Sequence, residues 1–160
     1  MGEAPPTDLQ LRYRLLLDLS RRVSRTLDLQ EMLSDLLKSL HTAVPYDAAG
    51  VFVLNRSVPE ASGRRTNLIA EMAQVGFDPP RADDPMLRWG RGIVGHVIRT
   101  GETVISDEVR DNPHYIEGRV TTRSEVCVPM VGQTGVLGAL NLESDRPAAF
   151  TQPDAELVEF

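Results

Sequence analysis

A chain of 160 residues is long enough for one domain with a full hydrophobic core. Hydrophobic residues make up 41% and charged residues 25%, a globular balance, and a net charge of −6 without a basic stripe argues against nucleic-acid binding. One cysteine, Cys127, excludes an internal disulfide and a multi-cysteine zinc site, and Lys38, the only lysine, has no catalytic partner nearby in the sequence.

Residues 1–6, with Pro5 and Pro6, read as a flexible tail, and 7–160 as a single domain. Leu9, Tyr13, Leu16, Leu19, Val23 and Leu27 recur at helical steps with arginines between them, which predicts a helix over 8–27. Asp28, with Glu31 three residues on, predicts a capped second helix over 28–44 that Pro45 stops. The start lacks the basic-then-apolar order of a signal peptide, and no apolar run reaches the ~18 residues of a membrane helix. The expected location is cytoplasmic, with no membrane partner.

Strands follow. The apolar run 48–54 reads as a central strand, 55–65 as a polar hairpin loop and the alternating 66–76 as a second strand. A proline- and acid-rich loop over 77–86 leads to Trp89. A short helix at 93–99, a strand at 103–106, an irregular segment at 107–123 and two strands at 124–131 and 135–144 come next. Thr151 and Asp154 predict the cap of a last helix at 152–160, expected to be cut off at 160. The tight connections at 55–65 and 132–135 suit hairpins, so the class is α+β with a mostly antiparallel sheet.

Gly90, Gly92 and Gly95 form a Gly-x-Gly-x-x-Gly, the fingerprint of dinucleotide binding. That fold needs a buried strand before the first glycine and a long crossover helix after the last. Here Pro85 interrupts the preceding residues and the following helix is short. The glycines read instead as a tight turn into a helix N-terminus beside a ligand.

The segments Gly90–Tyr115, Ser124–Val131, Gly135–Ser144 and Phe150–Asp154, in that order, resemble the GAF domain, a small-molecule sensor module, over about 25–160. The resemblance implies a GAF/PAS-like, six-stranded, mostly antiparallel sheet. N- and C-terminal helices would pack on one face, with a ligand pocket under short helices and loops on the other. The bilin-binding members attach chromophore through a loop cysteine and the sulfoxide reductases use several cysteines; this chain has neither, so no bilin is expected. Of the cyclic-nucleotide signature, Asn141, Phe150 and Asp154 are present, but Leu142 and Ala155 replace its lysine and glutamate, so cyclic nucleotide is not supported.

The expected pocket residues are Arg91 for an anionic group, backbone N–H groups at Gly92 and Ile93, hydrogen bonds from Asp107 and Ser124, a stacking face on Tyr115 and an apolar floor at Val126. Cys127, in an apolar strand, reads as a buried small hydrophobe. Asp107, Asp111 and His114 carry metal-ligand groups at D-x3-D-x2-H spacing, but Asp107 and Asp111-Asn112-Pro113 read as turn formers, and no metal is expected. His41 and His96 read as surface or packing residues.

No local enzyme motif is present, and the domain is expected to be non-catalytic. The resemblance to the GAF domain implies a regulatory sensor, expected at the N-terminus of a bacterial signalling protein. Its partners would be an unknown small molecule, a second copy in a parallel dimer through the terminal helices, and a covalently linked effector beyond residue 160, by family precedent a serine phosphatase or histidine kinase. The alternatives are a structural dimerisation module and a redox-active enzyme such as a methionine sulfoxide reductase.

Overall fold

A computed structural model describes residues 29–59, 65–77 and 91–159. The expected tail, the helix over 8–27, the Asp28 cap, Trp89 and Gly90 lie outside the described residues. Helix α1 occupies residues 29–40, and two turns carry the chain to Val44. The strands are β1 Ala48–Pro59, β2 Arg65–Val75, β3 Val104–Ser106, β4 Ser124–Gly132 and β5 Gly135–Ser144. Helix α2 spans Gly92–Thr100 and helix α3 Gln152–Val158.

The strands form one sheet in the order β2-β1-β5-β4-β3, and every pairing is antiparallel. That is the expected α+β class. Five strands lie among the described residues. The described strands before and after the glycine motif, β2 and β3, each pair antiparallel with a neighbour, so among the described residues no parallel βαβ unit of a dinucleotide fold is seen. β1 and β2 run further than expected, to Pro59 and from Arg65, past a register shift between Asn55 and Val58. A polar sequence reads as loop, but backbone pairing in a hairpin does not require apolar side chains.

Strand alternation divides the core in two. On one face Val126, Val128, Leu140 and Leu142 pack with Leu37 of α1 and with Ala155 and Val158 of α3. On the other, Cys127 and Ala139 pack with Ile93, Val94, Val97 and Ile98 of α2. The terminal helices therefore share one face and the short helix takes the other. Tyr46 reinforces the first face by donating from its hydroxyl to the Leu37 carbonyl at 2.6 Å.

Two glycines are required by geometry. A Cβ on Gly138 would lie 2.0 Å from the Phe52 carbonyl oxygen of the neighbouring strand. Gly101 takes φ 74 and ends α2, its N–H donating to the Val97 carbonyl. Thr151 caps α3 in a full capping box with Asp154, as expected.

Candidate functional site

The α2-side face of the sheet carries polar groups where a core would be apolar. Glu125 and Cys127 of β4 stand directly across from Glu143 and Asn141 of β5. Both glutamates are buried, at 3% and 2% exposure, and Asn141 is fully enclosed. Residues opposed in an antiparallel pair bring their Cβ atoms within ~4.5–5.5 Å, and like charges so placed repel. Burial first, and then Glu143, pushes the Glu125 carboxyl well above the usual carboxylate range. Burial also raises Glu143, while a bond from Thr122 and the nearby Arg119 hold it down.

Around Glu143 the contacts are well defined. The buried Thr122 hydroxyl donates to its Oε2, and Asn141 Nδ2 donates to its Oε1 at 3.2 Å. Asn141 Oδ1 is buried without a hydrogen-bond partner. Arg119 Nη1 lies 3.1 Å from Asp145 Oδ1 and 3.4 Å from Thr122 Oγ1. The Tyr115 ring packs against the α2-side core, and its hydroxyl donates to the Arg119 carbonyl at 3.4 Å. Burial, then Glu143 and Glu125, drive its phenol well above the ordinary value.

Of the seven expected pocket residues, Gly92, Ile93 and Tyr115 sit on this face. Gly92 has φ 70, and a Cβ there would meet Ile116 Cδ1 at 3.8 Å. Ile93, 3% exposed, is packed into the α2-side core rather than standing at an open lip. Arg91 is exposed at the N-cap position of α2 and makes no capping bond through its side chain. Asp107 is exposed, and its backbone carbonyl accepts from the Ala148 N–H at 2.8 Å.

Ser124 and Val126 require correction. Val126 belongs to the core under the terminal helices, on the opposite face. Ser124 Oγ donates to the Arg146 carbonyl at 2.7 Å and accepts from the Ala149 N–H, fastening the turn before α3. The face was assigned one residue out of phase: in Ser124–Val128 the side turned to α2 is Glu125 and Cys127, not Ser124 and Val126. Glu125, Asn141, Glu143, Thr122 and Arg119 were missed. The signal was there in two glutamates set inside apolar strand sequence, EVCV and LNLE.

Cys127 is buried, and burial followed by Glu125 and Glu143 pushes its thiol up, so the proton stays on Sγ. His114 stacks on His96 with ring centroids 3.9 Å apart, joining the irregular segment to α2. Burial first, then His114 and Arg99, lower the His96 pKa. Asn112 accepts from the His114 N–H at 2.9 Å, the turn-ordering role read from this segment. Among the described residues no group of three His, Cys, Asp or Glu is placed to hold a metal ion, and no helix is long and apolar enough to cross a membrane.

Comparison with known proteins places this geometry. The dual 3',5'-cyclic-AMP and -GMP phosphodiesterase 11A of Takifugu rubripes is 25% identical over 177 residues, covering 97% of this chain and 19% of that protein. The free methionine-R-sulfoxide reductase of Saccharomyces cerevisiae is 31% identical over 75 residues, 46% of this chain and 42% of the relative. The chain thus spans less than half the length of these curated relatives. The type II free methionine-R-sulfoxide reductase from Thermoplasma acidophilum shares the fold with a TM-score of 0.68, at 24% identity, over 83% of this chain and 86% of that one.

These likenesses overturn the expectation of a non-catalytic domain, because proteins similar in sequence and in fold are enzymes. The absence of local motifs was a poor guide, since a site assembled from neighbouring strands leaves none. Residues 26–160 match the family profile described as GAF domain, and the chain belongs to that family.

Proposed function

We propose that this GAF domain is a regulatory module that binds a small cationic molecule, an amine or guanidine, against the α2-side face of its sheet. The observation that carries the reading is the opposed, buried pair Glu125 and Glu143 with the partnerless Oδ1 of Asn141, two residues before Glu143 on β5. Together these groups are rich in acceptors, and a bound cation favours the charged form of both carboxyls. A ligand with several N–H donors and a positive charge complements them, whereas an anion or a purely apolar ligand leaves the acceptors unpaired. Tyr115 supplies an aromatic wall nearby.

Thermal-shift and native mass spectrometry with agmatine, with free methionine-R-sulfoxide, whose ammonium group is its cationic end, and with uncharged pentanamide test the reading. The probes with a cationic group should bind and pentanamide should not. Glu143→Gln should weaken binding about 30-fold, equivalent to ~2 kcal/mol, the lower range for losing one partner of a buried charge contact. Equal binding of charged and uncharged probes, or of neither, counts against it.

A second reading, turnover of a sulfoxide at the same face, is favoured by the reductase likeness and by Cys127 standing across from Asn141. Reduction of free methionine-R-sulfoxide with dithiothreitol by wild type, lost in Cys127→Ser, would select it. The dimer through the terminal helices is also proposed. Its support is the exposed apolar series Leu29, Met32 and Leu36 on α1, spaced for a helix seam. Sedimentation velocity of Met32→Glu against wild type checks it.

A further inference from the structure

The joints of both helices that cover the first face meet at one place. Asp47, directly before β1 and after the chain leaves α1, accepts at Oδ2 from Ser144 Oγ at 2.9 Å and from the Asp145 N–H at 2.7 Å. On the α3 side, residues 145–151 are fastened by Ser124 Oγ to the Arg146 carbonyl and by the Ala148 N–H to the Asp107 carbonyl. Ala148 takes φ 47, a left-handed conformation that a side-chain-bearing residue holds only under constraint. The segment is therefore ordered by its ties.

Arg119 links this junction to the polar face. Its guanidinium, with the side chain 16% exposed, meets both Asp145 Oδ1 and Thr122 Oγ1 through Nη1, and Thr122 in turn donates to Glu143. Arg119 thus acts on three carboxylates, those of Glu143, Asp145 and Asp47, the last of which Arg146 also lowers. The Asp47 carboxyl is held low first by the Asp145 N–H and, further down the order, by Arg119. For Glu143, Arg119 is a cation that lowers the carboxyl.

We infer that Arg119 is a positioning residue that transmits occupancy of the Glu125–Glu143 face to the joints of both covering helices. This rests on the proposed cationic ligand. A positive group arriving at Glu143 competes with the Thr122 hydroxyl for its oxygens and repels the guanidinium behind it. Arg119 then leaves Thr122, its bond to Asp145 is altered, and the Asp47–Asp145 junction loosens. Both helices are released together because they share that junction, giving ligand a differential effect on two states of the domain. Arg119 touches no ligand in this scheme.

Amide hydrogen exchange on the intact chain, without ligand, reads the coupling directly. Arg119→Gln removes the charge while keeping a hydrogen-bonding side chain. It should speed exchange about three- to tenfold at 44–48 and at 145–151 together, with α2 unchanged and with Arg119→Lys intermediate. Acceleration confined to 119–123, or spread evenly through α2 as well, overturns the inference. A second measurement uses agmatine, with bound agmatine confirmed by native mass spectrometry. Wild type should show the same two-joint acceleration on binding, while Arg119→Gln should bind yet show no further change. If agmatine and the sulfoxide both fail to bind, the cationic-ligand reading falls, and the exchange pattern of the unliganded variants still decides whether Arg119 couples the junction.

Discussion

A glutamate in a water-facing strand is unremarkable in energy; Glu125 and Glu143 become informative because they oppose each other out of water. In the unliganded protein their repulsion is a standing cost, and Glu125→Gln removes it. At pH 8 that variant should melt about 2–4 °C above wild type, the equivalent of ~1 kcal/mol in a domain of this size, measured by calorimetry. Cys127 shares the enclosure, and its raised thiol should resist labelling by iodoacetamide for hours in native buffer and react promptly in denaturant. Sequence reading identified Cys127 as buried, since an apolar strand around a lone cysteine has that simple meaning. It passed over the glutamates, because a single letter does not say which face of a strand it occupies, and a slip of one residue selects the opposite set.

At the level of elements, most of the fold was legible. The capping box at Thr151 and Asp154, the Gly101 stop and the hairpin between β4 and β5 each rest on chemistry local to a few residues. Thr151→Ala should cost about 1 kcal/mol in urea denaturation by removing the side-chain acceptor for the Asp154 N–H. The approach of β1 to β5 could not be read in advance, because it joins residues far apart in sequence. Gly138 is where it is enforced: Gly138→Ala sets a methyl group against the Phe52 carbonyl and should destabilise by at least ~2 kcal/mol in the same assay. The long β1–β2 ribbon was also missed, because the sequence of its outer half is polar and reads as loop.

For the whole molecule, acidity separates two kinds of carboxyl. Glu125 and Glu143 have raised values, so the folded state binds their protons more readily than the unfolded chain. Their contribution is fully present below the unfolded value near ~4.3 and is lost as pH rises through the folded one. Asp47 and Glu108 are lowered, the first mainly by the Asp145 N–H and the second by Arg123, so their contribution is lost instead as pH falls. The melting-temperature gap between Glu125→Gln and wild type should therefore be widest at pH 8 and close towards pH 5. A gap independent of pH would show that the pair is not the source. The β5 strand also has a consequence for biosynthesis. β1 takes β5 as its second neighbour, so a nascent chain emerging from the ribosome carries the β1–β2 hairpin with the β5-side edge of β1 unpaired until nearly the whole domain has been made. Over that interval the edge is open to pairing with other chains, and slowing translation between residues 76 and 135 should raise the share of product lost to aggregation.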